Sequence, residues 1–69
     1  MNRQPVQSSN LRTVGYDSDT HILEIEFHHG GVYQYFDVPE DIFQGLLSAS
    51  SKGKYHHRFI KKAYRYARV

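Results

Sequence analysis

Between His21 and His28 the chain alternates without a break, with Leu23, Ile25 and Phe27 on one side and Ile22, Glu24, Glu26 and His28 on the other. A period of two sends successive side chains to opposite faces of an extended backbone, so this segment is a strand with one apolar face. Such strands belong to antiparallel sheets that are covered on one side only. Both flanks supply turns. Asp17-Ser18-Asp19-Thr20 contains side chains that bond their own backbone, and His29-Gly30-Gly31 offers glycines able to take positive φ. Two hairpins follow. Upstream, Asn10 to Tyr16 reads as a strand, with Gly15 marking a bulge or a close backbone approach. Downstream, Val32-Tyr33-Gln34-Tyr35-Phe36 is β-branched and aromatic. Its register is open. If Phe27 faces Val32, Tyr33 and Tyr35 share the face of Glu24 and Glu26; if Phe27 faces Tyr33, both tyrosines join the apolar side.

The apolar face needs a cover, and the sequence after Val38 provides one. Pro39 suits a first helical turn, Glu40 and Asp41 complement the positive end of a helix dipole, and Ile42, Phe43, Leu46 and Leu47 form a stripe facing the sheet. This helix ends near Ala49. Ser50 or Ser51 then caps a second helix that buries Tyr55, Phe59 and Ile60. The tail from Ala63 to Val69 fits a helix end, a strand or a frayed terminus equally well. The expected fold is α+β: a small antiparallel three-stranded β-β-β meander packed by two C-terminal helices. Residues 1–8, polar and containing Pro5, read as a flexible N-terminal arm, and residues 9–69 as a single domain.

At 69 residues there is room for one core, and with 39% hydrophobic and 23% charged residues the chain has the composition of a folded domain. It has no cysteine, so neither disulfides nor thiolate zinc sites can reinforce that core. The same absence, a polar start without an apolar leader segment, and the lack of any apolar run near ~18 residues together predict a soluble cytoplasmic protein with no membrane role. The net charge of +2 hides a division. All seven acidic residues precede position 42, whereas seven of the nine lysines and arginines follow it. The two parts carry −5 and +7.

Several segments, in order, resemble one family: Ser9-Asn10-Leu11, Val14-Gly15-Tyr16-Asp17, Leu23-Glu24-Ile25-Glu26-Phe27, Gly31-Val32-Tyr33-Gln34-Tyr35, Val38-Pro39, and Ala49-Ser50-Ser51-Lys52-Gly53-Lys54-Tyr55. Over roughly residues 7 to 66 the chain is similar to a KTSC domain, with the family's central Tyr-x-Tyr at Tyr33 and Tyr35. The resemblance implies a standalone member of a group that also occurs at the C-terminus of some lysyl-tRNA synthetases. It implies nucleic-acid contact as a role and carries over no catalytic residue.

The residues themselves offer three constellations. In the basic third, Lys52, Lys54, Arg58, Lys61, Lys62, Arg65 and Arg68 are interleaved with Tyr55, Phe59, Tyr64 and Tyr66. Cations that neutralise phosphates beside rings that stack on unpaired bases are the chemistry of a single-strand binder. The competing reading is a solvated helix face whose charges pair with the acids of the first part. Tyr33 and Tyr35 share a strand face and either meet bases or pack half-buried on the helices. The pairs His28-His29 and His56-His57 each point apart, so a chelate would require one pair to meet the other in space. No nucleophile elbow, metalloprotease spacing or phosphate loop is present. The expectation is a small non-catalytic module with no cofactor and no metal. It would bind RNA or single-stranded nucleic acid through Lys54, Arg58, Lys61, Lys62 and Arg65, with Tyr33 and Tyr35 as stacking groups. The alternative is a protein-protein interaction domain, a monomer or weak dimer, that uses its oppositely charged sides.

Overall fold

The computed structural model describes residues 1–69. Five strands, β1 (Arg3–Pro5), β2 (Leu11–Asp17), β3 (Ile22–Phe27), β4 (Val32–Tyr35) and β5 (Tyr66–Arg68), form one antiparallel sheet in chain order. Helices α1 (Glu40–Ser48) and α2 (Lys52–Tyr55) lie between β4 and β5, and α2 runs directly into a π-helical turn, His56–Ile60. The α+β class and the two helices match expectation, but the sheet has five strands instead of three. The two additional strands are three residues each and exposed throughout, so they carry no alternating pattern to read. Pairing alone orders them. Within the segment 1–8, Arg3–Pro5 lies along Thr13–Gly15, and within the tail, Tyr66–Arg68 lies along Tyr33–Tyr35.

In the first hairpin Val14 faces Ile25 and Tyr16 faces Leu23, and the bulge falls between Leu11 and Thr13. Gly15 is therefore the close approach: a Cβ there would stand 2.7 Å from the Asn2 carbonyl oxygen. Over this gap the Arg3 side chain reaches Glu24, with Nε to Oε2 at 3.3 Å. Gln34 Nε2 donates to the other Glu24 oxygen at 2.8 Å, and Thr13 Oγ1 donates to Glu26 at 3.1 Å. The two glutamates thus knit the polar face together.

In the second hairpin Leu23 faces Tyr35 and Ile25 faces Tyr33. Phe27 therefore stands opposite Gly31, and its N–H donates to the Gly31 carbonyl at 3.1 Å. This is neither of the two registers considered, but it has the parity of the second, so both tyrosines lie on the apolar side. The core joins Leu11, Val14, Leu23, Ile25, Phe27 and Tyr35 of the sheet to Val38, Leu46 and Ile60 of the cover.

Glu40 and Asp41 occupy the first turn of α1, and Ser51 Oγ accepts from the Lys54 N–H at 3.3 Å to cap α2. After one turn the winding loosens. Lys61 N–H donates to the His56 carbonyl at 2.8 Å, a bond spanning five residues where an α-helix spans four. The extra residue moves Ile60 onto the face that Tyr55 began, where it is completely buried, a burial contributing roughly 2 kcal/mol. Phe59, which α-helical spacing would bury, is 45% exposed for the same reason.

Candidate nucleic-acid interface

An antiparallel meander has two ends, and the charge division of the sequence becomes a division between them. One end gathers the close of β2, the β2–β3 turn, the close of β4 and the start of α1, which brings Asp17, Asp19, Asp37, Glu40 and Asp41 to the same pole. Their combined field is felt by Tyr16, whose hydroxyl is pushed above its ordinary pKa by burial first and then by Glu40, Asp41 and Asp17. Arg65 belongs to this pole. Its Nη2 donates to Asp37 Oδ2 at 2.9 Å, with both side chains about four-fifths exposed, and its guanidinium lies 5.8 Å from the Phe36 ring centre.

At the opposite end, where β2 begins and β3 ends, a cleft of about 330 Å³ opens between the π-helical turn and the sheet. Its floor is polar but internally satisfied. The Tyr35 hydroxyl lies 2.8 Å from His56 Nε2, and both rings pack edge-on, with centroids 5.5 Å apart. Burial, then Tyr33 and Tyr66, pushes the Tyr35 phenol up to about 12; burial, then Lys61 and His57, pushes His56 down to about 4. Both groups are neutral at pH 7. Which of the two donates follows from the imidazole tautomer, since a neutral ring carries one N–H and one bare nitrogen. Phe27 is held between His56, which meets it edge-on at 5.1 Å, and His29, which stacks on it at 5.3 Å.

The walls are aromatic. Tyr33 is half-buried with Arg68 over its ring at 5.9 Å, and Tyr66, 57% exposed, lies 6.0 Å from Tyr33 and 5.6 Å from Tyr35, centre to centre. Lys61 stands at the rim with Asn10 and His57. Asn10, Gly53 and His57 also line a shallower groove bordered by Ser9, Ser51, Lys54 and Arg58, so cleft and groove form one continuous concavity.

Of the seven residues singled out from the sequence, Lys54, Arg58, Lys61 and Tyr33 meet on this surface. Lys62 is exposed and borders neither cleft nor groove, and Arg65 sits at the other pole, held by Asp37. Tyr35 is 3% exposed and bonded to His56, so its ring is committed to the core and offers no stacking face. Sequence reading placed Tyr66 among the rings of the basic third but did not join it to Tyr33, and it did not bring His29, His57 and Asn10 into that site. Tyr66 comes beside Tyr33 and Tyr35 because β5 pairs with β4, which no local pattern announces. The histidine pairs do approach each other here, with His29, His56 and His57 around one cleft, yet no three metal-ligating side chains converge. No helix is long and apolar enough to cross a membrane.

Comparison with known proteins agrees with this architecture. The family model for the KTSC domain matches residues 7–64. An uncharacterized protein of Stutzerimonas stutzeri is 44% identical over the whole of this chain and 99% of its own length. A lysine–tRNA ligase of Trichormus variabilis is 40% identical over 91% of this chain, which corresponds to 11% of that enzyme. The crystal structure of a KTSC domain protein from Yersinia pestis superposes with a TM-score of 0.96 at 43% identity, covering 99% of this chain and 96% of that one. Sequence, fold and kinship therefore converge, and the chain belongs to the KTSC domain family.

Proposed function

We propose that this domain is a non-catalytic module that binds RNA or another single-stranded nucleic acid in the concavity between the π-helical turn and the sheet. The observation that carries the reading is the meeting of Lys54, Arg58 and Lys61 with the aromatic walls Tyr33 and Tyr66 on one surface, at the pole opposite the acids. Cations of this kind release counterions from phosphates, and open rings take unpaired bases without needing a particular sequence. A similar segment in lysine–tRNA ligases supports both an RNA context and a cytoplasmic setting. The non-catalytic part of the reading rests on the floor: Tyr35 and His56 satisfy each other and neither is poised to exchange a proton near pH 7.

A second reading, a protein-interaction module, draws on the exposed Phe59 with Arg58 5.6 Å from its ring centre. Fluorescence anisotropy of a labelled single-stranded RNA separates the two. The first predicts saturable binding that weakens steeply with salt, and the variant Lys54→Ala/Arg58→Ala/Lys61→Ala should lower the log–log salt slope by about 2, at ~0.7 per phosphate contact. Absence of binding at low salt would leave the protein-interaction reading.

A further inference from the structure

We infer that the cleft is a seat for a single unpaired base, with the adjoining groove holding the phosphates that flank it; this deepens the nucleic-acid reading and rests on it. The division of chemistry between the two halves of the concavity is the first argument. The cleft presents Tyr33, Tyr66 and His29 around a floor formed by Tyr35 and His56, which hydrogen-bond each other, so a neutral planar group meets a mainly aromatic surface without a formal charge at its base. The groove presents Lys54 and Arg58, whose positive charges suit phosphate. Lys61, which lines the cleft itself, fits the phosphate nearest the seated base.

Size is the second argument. About 330 Å³ lies at the lower end of the range of small-ligand sites, which is enough for a single base. The third is availability. Tyr66 is the exposed ring of the cleft, on a strand whose other side chain facing the same way, Arg68, is turned over Tyr33. Asn10, His29 and His57 add side-chain donors and acceptors at the edge, which makes room for a preference among bases.

The test compares a short labelled adenylate oligomer with an abasic oligomer of the same length and charge, by anisotropy at low salt. The expected result is binding of the adenylate about tenfold tighter than the abasic strand, the share that one stacked base contributes. That gap should persist in Tyr66→Phe and close in Tyr66→Leu, with circular dichroism showing that both variants keep the fold. Equal binding of the two strands by the unaltered protein would overturn the base seat while leaving phosphate binding intact. Failure of both strands to bind would overturn the base seat together with the nucleic-acid reading beneath it.

Discussion

The two ends of the sheet are made of the same residue types put to opposite uses. At the acidic end Tyr16 stacks on Phe43 at 5.0 Å and gives its hydroxyl to the Val38 carbonyl, while Tyr55, between the helices, gives its own to Ile42 at 3.0 Å. These aromatics close the molecule. None of its three concavities is lined by an acid of that end. At the basic end the helical cover is displaced by the π-helical turn, one tyrosine is buried as a floor, and Tyr33 and Tyr66 are left as walls. An aromatic residue in a small fold is thus structural or available according to whether an element lies over it.

The strongest way to break the closed part is at Gly45. A Cβ there would stand 2.2 Å from the Tyr55 hydroxyl oxygen and 2.8 Å from its ring, so Gly45→Ala must displace the Tyr55 ring, at the expense of its bond to Ile42, or move the helix that carries it. A loss of about 2–3 kcal/mol in urea unfolding is expected, at the upper end for overpacking. Gly45→Ala/Tyr55→Phe should recover part of it, since the nearest clashing atom is then gone.

The floor of the cleft is tested by acid. His56 titrates near 6.5 when unfolded and near 4 when folded, so the unfolded chain binds the additional proton between those values. Stability attributable to this group is therefore complete above about pH 6.5 and is lost as pH falls toward 4. Allowing for solvent screening of a partly exposed ring, the loss is about 2 kcal/mol. His56→Gln, which keeps an acceptor for Tyr35 without a titration, should show a shallower decline over the same window in paired unfolding curves. A parallel decline would mean that the carboxylates alone govern acid sensitivity.

The smallest effect belongs to Arg65 and Asp37. Their exposed pair contributes ~0.5 kcal/mol or less, and Arg65→Ala should leave both stability and RNA affinity nearly unchanged, unlike removal of Lys61. A marked loss of affinity on Arg65→Ala would place part of the binding surface at the acidic pole.

What the sequence made legible follows from where local chemistry dominates. The strict alternation of β3, the Asp17–Thr20 turn, the apolar stripe of α1 and the Ser51 cap each act over a few residues, and each appears in the fold. Strands β1 and β5 do not alternate in burial and exist because a sheet edge is waiting for them, a non-local cause. The parity of the β3–β4 register, which placed Tyr33 and Tyr35 inward, depended on a loop in which Gly30 and Gly31 take φ of 105° and 91°. The π-helical winding leaves no mark in the spacing of apolar residues. As for the charges, their division along the chain translated into space only in part: Glu24 and Glu26 lie on the polar face of β3, and the turn before β5 carries Arg65 back to Asp37.

The most direct measurement is a map of backbone amide shifts by ¹H–¹⁵N correlation spectroscopy as single-stranded RNA is titrated into the labelled protein. The account predicts progressive shifts at Asn10, His29, Lys54, His57, Lys61 and Tyr66, with Asp17, Asp37, Glu40 and Asp41 unmoved. Shifts centred on the acidic pole, or none anywhere at low salt, would contradict it.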